Sequence, residues 1–170
     1  MNGFELLDPV IATLAPDVVF PAISAETLPS MRGPLPSMAG APPLSDEVTR
    51  VDHDVSSDPR VVVRVHRRRG AEGPRPCVYS IHGGGYVLGD YSMDDARFDR
   101  WCQLFDCVGV SVEYRLAPET PYPGPLEDCY AGLAWTFAHA GEIGVDPARV
   151  GIAGTSAAST SCSTSSSTAR

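Results

Sequence analysis

Hydrophobic positions along the chain change period several times, and each change marks an element. Between residues 47 and 58, Thr49, Val51, His53 and Val55 alternate with Arg50, Asp52 and Asp54, and Val61-Val62-Val63-Arg64-Val65 follows a Ser-Ser-Asp-Pro turn. Alternation with a period of two sends one set to a single face, so two strands joined as a hairpin are predicted. Residues 77–81 are apolar on both faces, as a strand covered by helices on either side must be. A glycine-rich stretch follows, and then the period turns helical: Ala96, Phe98, Trp101, Cys102 and Phe105 share one face of a helix predicted over 94–105. Residues 107–112 read as a fourth strand, 126–139 as a second amphipathic helix punctuated by Gly141 and Gly144, and 149–153 as a fifth strand. Strands alternating with helices predict an α/β fold, a mostly parallel sheet with N-terminal hairpin strands and helices on both faces.

Residues 1–45 differ in texture, rich in proline and small residues, with a helix predicted over 4–14 and a loop over 29–36. They form a cap or lid segment with an apolar inner side (Phe4, Leu6, Leu7, Ile11, Leu14), ahead of an α/β domain at 46–158 and a low-complexity tail at 159–170. At 170 residues with 43% apolar and 20% charged positions, the chain has the composition of a soluble globular protein. Its net charge of -8 repels nucleic acid and anionic membranes, so neither is an expected partner. The basic run His66-Arg67-Arg68-Arg69 reads as a solvated strand end. Five cysteines without CxxC spacing, three of them in apolar runs, suit reduced, buried thiols and a cytoplasmic location. Neither an export signal nor a membrane span is expected. No metal-ligand spacing is present, and Gly83, Gly85 and Gly89 do not make G-x-G-x-x-G, so no metal or cofactor is expected.

Two stretches carry chemistry. Gly154-Thr155-Ser156-Ala157-Ala158 follows the fifth strand and matches the nucleophile elbow G-x-S-x-G except at Ala158. By itself that is an ordinary serine loop more often than a catalytic one. His82-Gly83-Gly84-Gly85 follows the third strand, and such bare backbone lets peptide N–H groups approach a tetrahedral oxyanion where side chains would obstruct them. A flexible hinge does not explain why this run leaves a buried strand ahead of an elbow-like serine.

Three runs together resemble the hormone-sensitive-lipase family of α/β-hydrolase carboxylesterases. They are His82 to Gly89; Ser111-Val112-Glu113-Tyr114-Arg115-Leu116-Ala117-Pro118-Glu119 with Pro123 and Glu127-Asp128; and Gly151-Ile152-Ala153-Gly154 before the serine. The resemblance implies Ser156 as nucleophile, with Gly84, Gly85 and Ala157 as oxyanion-hole donors. It implies that His82 and Gly83 shape the oxyanion loop, His82 not being the base, and that the substrate is a small-molecule ester cleaved through an acyl-enzyme.

The pattern then breaks. In this fold the triad runs Ser, acid, His along the chain, yet the last aspartate is Asp146, the last glutamate Glu142 and the last histidine His139, all before Ser156. From Thr155 to Arg170 eleven of sixteen residues are Ser or Thr, poor helix formers, and the tail reads as disordered. The expected fold is therefore truncated after the elbow strand, and the chain as written is expected to be inactive or nearly so. A non-catalytic ligand-binding protein on the same scaffold, like the plant hormone receptors this family resembles, and a gene fragment without a function of its own stand as alternatives. The fifth strand is expected to be an open edge through which chains self-associate. Asp94-Asp95 and Glu127-Asp128 are expected to start helices, and none of His53, His66 and His139 is tied to Ser156 by any motif.

Overall fold

The computed structural model describes residues 22–32 and 43–156, together with Pro9 and Ala158. The helix predicted over 4–14, Ala157 and the tail 159–170 with Cys162 lie outside the described residues. The chain divides into two compact units, Met1–Gly33 and Pro34–Arg170. In the first, α1 (Leu28–Met31) occupies part of the stretch expected to be a loop. Pro29 is no obstacle, because amide groups in a first helical turn have no intrahelical acceptor to lose. Ser24 and Thr27 set up the turn, with Thr27 N–H donating to Ser24 Oγ at 3.2 Å and Ser24 N–H donating to Thr27 Oγ1 at 3.0 Å.

The second unit is built on a five-stranded sheet. Strands β1 (Val48–Ser57) and β2 (Arg60–Arg68) form the predicted hairpin, followed by β3 (Arg75–Ile81), a short 3-10 turn (Tyr91–Asp94), α2 (Asp95–Phe105) and β4 (Val108–Glu113). Helix α3 (Gly124–Ala138), the short α4 (Ala140–Ile143) and β5 (Val145–Gly154) complete it. The spatial order is β1-β2-β4-β3-β5. β4 and β5 run parallel to β3, and β2 runs antiparallel to both β1 and β4, so four of the five strands point one way.

The two helices take opposite faces because β3 and β4 are apolar on both. Val61, Val63, Val65, Tyr79, Ile81, Val110 and Val112 pack with Cys129 and Leu133 of α3. On the other face Val48 and Val78 pack with Phe98, Trp101 and Cys102 of α2. Each fully buried aliphatic side chain contributes about 1.5–3 kcal/mol through removal from water, and Val63, Ile81, Val108, Val110 and Val112 are all at 0% exposure. Close approach depends on glycine at two points. A Cβ on Gly109 would sit 2.3 Å from the Phe98 ring, and one on Gly132 would sit 2.5 Å from the Tyr79 hydroxyl, which donates to the Cys129 carbonyl at 2.7 Å.

Some expectations are corrected. Ala96 and Phe105 do not join the buried face of α2. The helix meets the sheet through Phe98 and Cys102, and the left-handed cap at Asp106 (φ 49) turns the chain away and leaves Phe105 66% exposed. Nor is His66 part of a solvated strand end. It is fully buried, its Nε2 lies 2.8 Å from Asp95 Oδ1, and its ring packs on Phe98. The acidic pairs do more than start helices. Asp94 accepts from Arg97 and Ser111, Asp95 from Arg64, and Asp128 from the Arg115 backbone N–H and guanidinium. The side chain that caps this region is Asp90, which accepts from Ser92 N–H at 2.7 Å.

Candidate active site

Register brings the two chemical stretches together. β3 and β5 are parallel neighbours with Ile81 opposite Gly154, so the glycine loop leaving β3 and the Thr155-Ser156 step leaving β5 emerge side by side. Thr155 N–H donates to the Ile81 carbonyl at 3.4 Å. A Cβ added to Gly83 would lie 3.0 Å from the Thr155 carbonyl oxygen and 3.5 Å from Ser156 Cβ. Bare backbone suits that position because the Thr155 carbonyl, one residue before the serine, crowds the adjoining space.

Ser156 sits at an exposed tip with φ 57, in the left-handed region that costs a residue with a Cβ roughly 1–2 kcal/mol. Strain of this kind is held at functional sites more often than elsewhere. Ala158 N–H then donates to the Thr155 carbonyl at 3.2 Å, and the Ala158 methyl is buried in the core, the packing that a small residue at this position allows.

The glycine loop folds on itself. Gly84 has φ 125, and a Cβ there would come within 2.1 Å of the Leu88 carbonyl oxygen. Val87 and Leu88 both donate their N–H groups to the Gly84 carbonyl, at 3.1 and 3.0 Å. Gly85 (φ 64) and Tyr86 (φ 63) continue in left-handed conformation, and the Tyr86 carbonyl accepts from Ala117 N–H at 2.8 Å. Gly89 closes the turn, since a Cβ there would meet the Gly83 carbonyl oxygen at 2.7 Å and His82 Nδ1 at 2.8 Å.

His82 is buried beneath this loop, and burial is the main reason that its imidazole is held below the ordinary histidine range. Its Nδ1 lies 2.9 Å from the Gly83 carbonyl, an acceptor, so Nδ1 carries the proton. Behind it, Glu113 at the end of β4 accepts from Tyr91 N–H at 2.8 Å, and burial leads the causes that raise its pKa. Arg64 joins Asp52, Asp95 and the Tyr91 hydroxyl and stacks 4.1 Å over the Tyr91 ring, tying the 3-10 turn to the hairpin. Among the described residues no three His, Cys, Asp or Glu side chains gather as metal ligands.

Of the residues singled out in the sequence, His82, Gly83, Gly84, Gly85 and Ser156 converge on one end of the sheet, while Ala157 lies outside the described residues. His53 packs on Trp135 and His139 stacks on the same indole, at centroid separations of 5.1 and 4.4 Å. His66 pairs with Asp95 at the end of β2 opposite Gly109, away from the strand ends that carry the loop and the serine. Two residues escaped the sequence reading: Tyr114, whose ring stacks on His82, and Tyr86, whose ring meets that of Tyr114. The signal for both was present, since one follows the glycines directly and the other stands inside the Glu113-to-Glu119 run.

A sheet of this order, with a strained serine after β5 beside a glycine loop after β3, defines an α/β-hydrolase. Residues 78–159 match the sequence model of the alpha/beta hydrolase fold, and the chain is similar to esterases of the hormone-sensitive-lipase family within it. It is 33% identical over 153 residues to carboxylesterase NlhH of Mycobacterium tuberculosis, covering 89% of this chain and 48% of that protein. It is also 40% identical over 122 residues to arylacetamide deacetylase of Rattus norvegicus, covering 68% of this chain and 30% of that one. Among solved structures, a bacterial heroin esterase superposes with a TM-score of 0.81 at 32% identity, over 99% of this chain and 55% of that chain. The chain thus spans from about a quarter to about half of the length of the curated relatives it matches. Among the described residues no helix is long and apolar enough to cross a membrane.

Proposed function

We propose that this chain carries the oxyanion loop and nucleophile of a carboxylic ester hydrolase that acts on small-molecule esters through a serine acyl-enzyme. In this reading Ser156 Oγ attacks the ester carbonyl carbon, the carbonyl oxygen becomes an oxyanion, and the N–H groups of Gly84, Gly85 and Ala157 receive it. His82 and Gly83 shape the loop. The alkoxide leaves with a proton from a general acid, and water then releases the acid product. The observation that carries the reading is the strained φ of 57 at Ser156 next to the glycine loop, where a Cβ added at Gly83 would crowd the Thr155 carbonyl at 3.0 Å. The names of the relatives, a carboxylesterase and a heroin esterase among them, support the same substrate class.

Attack by a serine hydroxyl requires a base. Each of the four histidines of the chain has contacts that lead elsewhere: His53 and His139 to Trp135, His66 to Asp95, and His82 to the Gly83 carbonyl and Tyr114. Loss of a triad base costs on the order of a millionfold in turnover in comparable hydrolases. The 170-residue polypeptide is therefore expected to cleave p-nitrophenyl acetate no faster than its Ser156→Ala variant. A chimera joining residues 46–158 to the remaining C-terminal part of carboxylesterase NlhH is expected to hydrolyse the same ester and to lose that activity on Ser156→Ala. A folded chimera that binds esters without turning them over points instead to a non-catalytic scaffold.

Four buried free thiols, Cys77, Cys102, Cys107 and Cys129, favour a reducing compartment such as the cytoplasm. Self-association through the outer edge of β5 is part of the same reading, since among the described residues nothing pairs there.

A further inference from the structure

We propose that Tyr114 is a positioning residue for the oxyanion loop, orienting through His82 the successive peptide planes whose N–H groups face the reacting carbonyl. The proposal rests on the ester-hydrolase reading above. Tyr114 follows the last residue of β4 and is 2% exposed. Its ring stacks on the His82 imidazole at 4.1 Å with 12° between the planes, and its hydroxyl donates to the His82 carbonyl at 2.7 Å. It also meets the Tyr86 ring at 6.0 Å, so one side chain touches both ends of the glycine run.

The consequence follows from peptide geometry. A carbonyl and the N–H of the next residue belong to one rigid plane and point in opposite directions, so anchoring the oxygen aims the hydrogen. Three consecutive planes are anchored in this way. The Tyr114 hydroxyl holds the His82 carbonyl and so sets the Gly83 N–H. The His82 Nδ1–H holds the Gly83 carbonyl and sets the Gly84 N–H. The Val87 and Leu88 N–H groups hold the Gly84 carbonyl and set the Gly85 N–H. Tyr114 supplies the first anchor, and by stacking it orients the imidazole that supplies the second. Burial raises the phenol pKa well above its ordinary value and lowers that of the imidazole, so both groups keep the protonation state this relay needs at neutral pH.

Tyr114→Phe removes the donor and keeps the stacked ring, which separates the two contributions. In the 170-residue chain, amide hydrogen exchange at Val87 and Leu88 is expected to accelerate about tenfold in Tyr114→Phe, as loss of one buried hydrogen bond implies. Exchange at Val110 and Val112, in the middle of β4, is expected to stay within twofold. In the same NMR spectra the His82 ring protons should keep their upfield shift in Tyr114→Phe and lose it in Tyr114→Leu. Equal acceleration at all four amides means that Tyr114 only stabilises the core, and unchanged exchange at Val87 and Leu88 means that it does not hold the loop. Either result overturns the proposal. Should Tyr114→Leu fail to fold, the phenylalanine variant alone decides. None of these readouts needs turnover, so a chimera without esterase activity refutes the hydrolase reading separately.

Discussion

At the scale of single residues, strain and bare backbone mark the candidate site more clearly than charge does. Ser156 holds a left-handed conformation for which a side chain is a cost, and the neighbouring Gly83 cannot take a Cβ without crowding the Thr155 carbonyl at 3.0 Å. If that strain serves exposure of the hydroxyl rather than folding, removing the Cβ should release it. Ser156→Gly is therefore expected to raise stability by about 1 kcal/mol, the left-handed penalty less the extra chain entropy of glycine. Urea denaturation of the two proteins measures it, and a less stable glycine variant would mean that the serine hydroxyl is holding the turn together.

At the scale of elements, the strand ends and helix starts around the loop are tied by charge pairs set into an otherwise apolar sheet. Arg115 and Asp128 lock the start of α3 to the end of β4, and Glu113 holds Tyr91 N–H on the opposite face. Glu113 contributes in a pH-dependent way. Burial first, then the neighbouring Asp90 and Asp52 carboxylates, raise its pKa above the ordinary glutamate range, against the pull of Arg64 and the Tyr91 N–H. A raised folded-state pKa favours the protonated form. Its contribution to stability is complete below the unfolded value and is lost as pH rises through the folded one. Glu113→Gln keeps an acceptor for Tyr91 and carries no charge, so its stability should fall less than that of the parent chain between about pH 4 and pH 7. Parallel denaturation profiles for the two would show that Glu113 titrates as an ordinary surface acid.

At the scale of the whole molecule, the sheet is finished on one side and open on the other among the described residues. β1 closes the hairpin side with Arg and Asp side chains paired across it, Asp52 with Arg64 and Asp54 with Arg60, and this charge discourages further strand pairing. β5 offers no such charges between Val150 and Gly154. The 170-residue polypeptide is accordingly expected to elute as a dimer or larger species, read by light scattering. A monodisperse monomer at tens of micromolar would count against pairing through this edge.

Periodicity in the sequence was sufficient for the strands, the two long helices and the class of fold, because alternation and helical spacing reflect burial that each element must satisfy wherever it packs. The glycine loop was legible for a similar reason, since only small residues permit such backbone. What the sequence could not settle was set by packing between distant segments. Examples are the burial of His66 against Asp95, the departure of Phe105 from the sheet at a left-handed cap, and the stacking of Tyr114 on His82. These depend on which strands become neighbours, and so does the meeting of Gly83 with Ser156. It arises because β3 and β5 pair in parallel, with Ile81 beside Gly154. Local pattern decides what a segment can form, and only the tertiary register decides what it will touch.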